Sequence, residues 1–340
     1  MRSRLSALLV GLVLLLVSAC SASPSPQAQP PAEGGSDGAF PVSIKHALGT
    51  AEIPAAPKRI VALGQGSAET AIALGVIPVG IEAYPWGADQ SGQLPWIREA
   101  VEKRGGQLPT LIKGSTELDI EAIVAADPDL ILANWSGITP EQYKVLSDLA
   151  PTIAYPDKAW STNWDQQIKT IATALGQPTE GDRLIAEIDD TFAKAAASRP
   201  NYRDISFVYA YTNGPGTLGI FLPDEQRVAF LTKLGLKLDP VVATLPETSG
   251  TDSALLGLEN ANKVADAELF FTFYSDADTR KQVEAQPLYA AIPAVQKGAV
   301  IASNDQSFVT GSSMINPLTV PWAIERYLPL IDAQASKVAG

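Results

Sequence analysis

Apolar residues in this chain fall into two kinds of pattern. Some stand in short, mostly apolar runs: Arg59–Leu63, Val79–Ala83, Leu130–Ala133 and Thr152–Tyr155 in the first half, Ile205–Tyr211, Glu268–Phe273 and Ala299–Ser303 in the second. Runs of this length suit strands buried on both faces. Others recur every three or four positions, which predicts helices over Ser67–Leu74, Asp119–Ala126 and Pro140–Leu149. The same period returns near Gln226–Leu234, Leu258–Val264, Arg280–Ala291 and Pro317–Ala333. Between the halves lie two consecutive helical stretches, Trp164–Leu175 and Thr179–Ala197. The second carries Leu184, Ile185, Ile188, Phe192 and Ala195, and Pro200 ends it. Strands alternating with helices predict an α/β fold. The long helix divides it into two Rossmann-like lobes: residues 41–178, a connecting helix at 179–198, and residues 199–340. The polar segment Val42–Ile53 reads as a hairpin-like lead-in, and its His46 as an ordinary surface or turn residue.

The first 40 residues are of another kind. Arg2 and Arg4 precede an apolar stretch from Ala7 to Val17, the layout of a signal peptide. A spanning helix needs about 20 apolar residues, and Pro24, Pro26, Pro30 and Pro31 follow too soon. Val17-Ser18-Ala19-Cys20 resembles the lipobox of bacterial lipoproteins, which implies acylation of Cys20 and removal of residues 1–19. Ser, Pro, Ala, Gln and Gly then dominate as far as about Gly38, a composition that makes an extended tether. Residues 20–40 are therefore expected to moor a globular body to a membrane surface outside the cytoplasm.

Charge and composition narrow the chemistry. The 340 residues hold 37 acidic and 25 basic side chains, a net charge of -12, which becomes -14 once Arg2 and Arg4 are removed. Such a chain lacks the basic surface that nucleic acid requires. One histidine and one cysteine exclude most zinc, disulfide and thiol–histidine chemistry. Gly64-Gln65-Gly66 opens like a dinucleotide fingerprint, but the third glycine position holds Glu69, whose carboxylate would face a pyrophosphate. The segment reads instead as a tight strand-to-helix turn with Ser67 as N-cap. No G-x-S-x-G elbow occurs, since Gly311-Ser312-Ser313-Met314 fails at its last position, and no carboxylate pair stands out for glycosidase work. Neither an enzyme nor a resident cofactor is expected.

A faint repeat links the halves. Leu118-Asp119-Ile120-Glu121 leads into Asp127-Pro128-Asp129-Leu130, and Leu256-Gly257-Leu258-Glu259 leads into Ala265-Asp266-Ala267-Glu268. Each is a helix with an early glutamate, an acidic turn and a strand. Several stretches also resemble the substrate-binding proteins of ABC importers of the iron–siderophore and cobalamin type. These are Ile53-Pro54, Pro57–Leu63, Glu69–Gly80, Glu121 with Pro128–Leu132, and Leu146 with Leu149–Thr152, and the similarity extends over roughly residues 40–335. The resemblance implies two lobes joined by one rigid helix, a ligand cleft between them and small opening motions. It also implies that Glu121 and Glu259, one on each lobe, dock the protein on its membrane permease. A monomer is expected.

Ligands of two-lobed α/β proteins lie beyond the carboxyl ends of the strands. At those ends stand Gln65, Tyr84, Trp86, Asn134, Trp135 and Tyr155, with Trp160 soon after, in the first half. Tyr211, Thr212, Phe273, Tyr274, Asn304, Asp305 and Phe308 stand there in the second. The ligand-binding candidates are thus Gln65, Tyr84, Trp86, Trp135, Tyr155, Tyr211, Phe273, Tyr274 and Phe308, joined by Arg227. Trp86 and Trp135 lead, because each sits in a glycine-containing loop. Cationic candidates are few: Arg227, Arg280 and Lys281, with Arg98 and Arg104 in an intervening helix. Strongly anionic chelates need several arginines, so a neutral or cationic ferric hydroxamate fits best, with Arg227 near its iron-bound oxygens. Ferric iron enters only as part of that siderophore. Haem and cobalamin are the alternative ligands, and a lipid-anchored sensor is the alternative role.

Overall fold

A computed structural model describes residues 39–114, 117–212, 214–249 and 251–338. Cys20, the signal segment and nearly all of the tether lie outside the described residues. Strands β1 (Val42–His46) and β2 (Gly49–Ile53) pair antiparallel as the lead-in hairpin. Its histidine is not a surface residue. His46 is buried, its Nδ1 accepts the Leu48 N–H at 3.3 Å, and its ring meets Tyr143 edge-on at 5.0 Å. Burial lowers its pKa, because a protonated imidazole is poorly solvated there.

The first sheet contains β3 (Ile60–Gly64), β4 (Gly80–Glu82), β5 (Thr110–Ile112), β6 (Leu130–Trp135) and β7 (Thr152–Ile153). All its pairings are parallel, in the order β5-β4-β3-β6-β7. The chain builds outward from β3 in both directions, so a topological switch point lies between β3 and β6. The second sheet grows from β8 (Ser206–Tyr211). On one side β8 pairs in parallel with β12 (Leu269–Phe273), which pairs with β13 (Val300–Ser303). Its other edge is shared by β9 (Gly219–Phe221), antiparallel, and β10 (Lys237–Leu238), parallel, with β11 (Ser253–Leu255) beyond β9.

Period-two alternation divides the strand side chains between separate cores. Val61, Leu63, Ile131 and Ala133 pack into an outer cluster on the first sheet. Val208, Ala210 and Phe270 do so on the second. The opposite faces, with Ile60, Ala62, Leu130 and Leu132 from one sheet and Phe207, Tyr209, Leu269 and Phe271 from the other, join a single continuous core. The helix Pro178–Ala197, which runs between the two sheets in sequence, adds Leu184, Ile188, Phe192 and Ala195 to it. The C-terminal helix Thr319–Val338 adds Trp322, Tyr327 and Ile331. Trp322 meets Trp96, from the helix Pro95–Lys103, edge-on at 5.2 Å.

Two predicted helices differ in form. Arg280–Ala291 is split into Ala277–Glu284 and Pro287–Ala290, because Pro287 cannot donate the hydrogen bond that would continue the first. Leu258–Val264 is a 3₁₀ helix. The cap of the helix Ser67–Ala73 is Gly66 and not Ser67. Its N–H donates to Glu69 Oε2 at 3.0 Å, so Glu69 folds back under the turn and is buried.

Candidate functional site

The turn after β3 is the most constrained piece of backbone near the cleft. Gly64 has φ 76, and a Cβ there would strike the Trp135 carbonyl, so the two strand ends approach as closely as glycine permits. Two buried carboxylates hold the turn from below: Glu82 accepts the Gly64 N–H at 2.8 Å, and Glu69 accepts that of Gly66. From the helix Trp164–Ala174, Gln167 Nε2 donates to the Gln65 carbonyl at 2.8 Å. Glu69 also accepts the Trp96 indole N–H at 2.9 Å. Burial raises the Glu69 pKa above the usual carboxylate range, against these hydrogen bonds.

Above this turn a cavity of about 800 Å³ separates the lobes. From the first lobe it is lined by Gln65, Trp86, Trp135, Trp160 and Trp164, together with Ser161–Asn163 and Asp165. Trp86 and Trp160 are 48% and 42% exposed, high values for indoles, so each leaves apolar ring surface open to the cavity. Trp160 adopts φ 62, a left-handed conformation uncommon for a bulky residue. Its N–H donates to the Ser136 carbonyl at 3.2 Å, its ring packs edge-on against Trp135 at 5.0 Å, and Gly137 leaves the space it occupies.

The second lobe contributes Pro223–Arg227, Asp252, Phe273, and Val309, Thr310, Ser313 and Met314. Arg227, near the start of the helix Gln226–Lys233, lies 4.8 Å from the Phe221 ring centroid and 5.6 Å from that of Phe273. It is not a free cation. Its guanidinium donates to Glu225 Oε1, and its backbone N–H donates to Glu225 Oε2 at 2.7 Å. Burial lifts the Glu225 pKa, while the adjacent guanidinium pulls it down. The lobes also touch directly: Ser307, in the helix Gln306–Gly311, donates to the Gly87 carbonyl at 2.9 Å.

Of the residues singled out in the sequence, Gln65, Trp86, Trp135, Arg227 and Phe273 line this cavity. The others stand elsewhere. Tyr84 is partly buried with its hydroxyl against Glu82, and burial with the Glu82 and Glu69 charges raises its pKa well above normal. Tyr155 is buried and donates to the Ile138 carbonyl at 3.3 Å. Tyr211 bonds Ser253 at 2.9 Å, and Tyr274 bonds Tyr289 at 2.7 Å in the outer core. Phe308 packs on Tyr327 at 4.8 Å in the shared core. Arg98 pairs with Asp89 at 2.7 Å and Arg280 with Glu284 at 2.8 Å, both away from the cavity. Sequence reasoning placed none of Trp164, Asp224, Glu225 or Asp252 in the cleft. The Asp224-Glu225-Gln226-Arg227 stretch carried the one available signal. Glu121 and Glu259 are exposed in the first turns of their helices.

Comparisons with known proteins agree with this architecture. The family model described as periplasmic binding protein matches residues 60–306. A probable siderophore-binding lipoprotein of Bacillus subtilis, YfiY, is 27% identical over 333 residues, covering 92% of this chain and 94% of that protein. The ferric enterobactin-binding periplasmic protein FepB of Escherichia coli is 28% identical over 285 residues, covering 79% and 86%. The structure of Streptococcus pneumoniae PiaA in complex with ferrichrome superposes with a TM-score of 0.78 at 30% identity, covering 87% of this chain and 99% of that one. The chain belongs to the periplasmic binding protein family, in its two-lobed class III form.

Proposed function

We propose that this protein is an extracytoplasmic binding lipoprotein that captures a ferric siderophore of hydroxamate type and delivers it to an ABC permease. The observation that carries the reading is the make-up of the cleft. About 800 Å³ of space is faced by the indoles of Trp86, Trp135, Trp160 and Trp164, and the single guanidinium among the lining residues is already paired. Broad aromatic walls suit a bulky chelate with an apolar rim. A cleft without spare arginines leaves the charge of a trianionic catecholate uncompensated. The likeness to PiaA with bound ferrichrome supports the same choice. The role is binding and delivery, with no bond made or broken.

Anchoring rests on Cys20, which lies outside the described residues, and on the lipoprotein name of the Bacillus relative. The protein should partition with membranes, and Cys20→Ser should remain unprocessed. Among the described residues no helix is long and apolar enough to cross a membrane. The deciding experiment titrates purified protein with ferric hydroxamates, ferric catecholates, haem and cobalamin while tryptophan emission is followed. A ferric hydroxamate should bind one to one with quenching, and catecholates at least about tenfold more weakly, a gap of about 1.4 kcal/mol. Tight binding of haem or cobalamin without hydroxamate affinity would replace the ligand while keeping the transport role.

A further inference from the structure

The charge balance of the cleft points beyond a hydroxamate to a particular kind. Five ionisable side chains line the cavity: Asp165, Asp224, Glu225, Arg227 and Asp252. Arg227 and Glu225 neutralise each other. Asp165 reaches Lys169 at 3.8 Å along its own helix. Asp224 and Asp252 remain. Both are exposed, and neither carboxylate has a hydrogen-bond or ion-pair partner among the described residues. The backbone sets Asp252 near the turn that carries Asp224: the Leu222 N–H donates to the Asp252 carbonyl at 2.9 Å. The exposed indoles of Trp86 and Trp160 line the same cavity from the other lobe. Unpaired carboxylates and exposed aromatic rings lining one cavity make a setting that attracts an ammonium group by charge and by cation–π contact, and that repels an anion.

Accepting that the cleft takes a ferric hydroxamate, we infer that its ligand carries a positively charged ammonium arm, received between the Asp224–Asp252 pair and the tryptophan wall. The role of Arg227 changes accordingly. Committed to Glu225, it offers an apolar-flanked platform and brings no net positive charge to the site.

A charge series built on one chelate tests this. A linear trishydroxamate ending in a free amine gives a ferric complex of charge +1. Acetylating the amine gives zero, and succinylating it gives -1, with the iron-binding core unchanged. Titrating the full protein with all three by tryptophan quenching should give affinities in the order +1, 0, -1, with about tenfold or more between the extremes at low salt. The spread should shrink as salt rises. In the double variant Asp224→Asn with Asp252→Asn, the ratio between the amine and acetylated chelates should fall to less than about threefold. Asn tolerates the left-handed φ 48 of Asp252, so the fold is spared. Equal affinity for the amine and acetylated chelates would overturn the inference while leaving a hydroxamate site standing. So would an undiminished ratio in the double variant. Failure of all three to bind would remove the hydroxamate reading and this inference with it.

Discussion

Arg227 and Glu225 behave as one unit, because each is the other's compensation in a largely buried place beside Phe221 and Phe273. Removing only the guanidinium leaves a carboxylate desolvated and unpaired, a change that typically costs about 3–5 kcal/mol. Arg227→Ala should therefore lower the urea midpoint. Arg227→Met combined with Glu225→Gln should recover most of the stability. If the single and double variants unfold alike, the pair is not a unit. Gly64 is a second such point: Gly64→Ala combines a left-handed φ with a collision at the Trp135 carbonyl, and should cost about 1–3 kcal/mol or more. Wild-type thermal stability in that variant would show that the turn relaxes freely. At this scale the sequence was half legible. Proximity to a strand end picks out candidates, but alternation decides which way each side chain points. Phe273 lines the cavity, while its neighbour Tyr274 turns into the outer core to bond Tyr289. Asp224 and Asp252 are 28 positions apart, and Asp252 comes near the Leu222–Asp224 turn through the pairing of β9 with β11 and the Leu222 N–H bond to its carbonyl, which no local pattern announces.

Elements differ in how plainly the chain declares them. Strands β3, β6, β8 and β12 lie inside their sheets and read as nearly continuous apolar runs, because both faces are covered. Strands β5, β9, β10 and β11 have only two or three residues, too few for any period, and their pairing is set by neighbours distant in sequence. The hairpin β1–β2 was readable as a hairpin, but its docking was not, and His46 is the residue that docking buries. A pH dependence follows. The folded pKa of His46 lies below its ordinary 6.5, so the folded state binds its proton less readily than the unfolded chain. The stability this neutral histidine contributes is intact above about pH 6.5 and is lost as pH falls through the folded value. Thermal melts between pH 8 and 5 should show a decline that His46→Gln flattens. Equal slopes in the two proteins would assign the decline to other groups.

For the whole molecule, delivery needs a surface distinct from the cleft. We propose Glu121 and Glu259, exposed and equated by the internal repeat, as the permease contacts. Replacing both by Ala should abolish uptake while leaving siderophore affinity within about twofold, since each forfeits only about 0.3–1 kcal/mol of helix-dipole energy. Normal uptake would return them to plain first-turn residues. The core that runs from the inner face of one sheet, along the helix Pro178–Ala197, to the inner face of the other has a consequence for the folding unit. Neither half owns its interior. A fragment ending at Ala197 would present Phe192, Ile188 and Trp96 to water, and the complementary fragment would present Phe207, Phe271 and Tyr327. Expressed separately, each should aggregate; expressed together, they should associate and regain siderophore binding. The intact protein should melt in one cooperative step. The lobes are two in outline, and two separate melting steps would show that the shared core does not couple them.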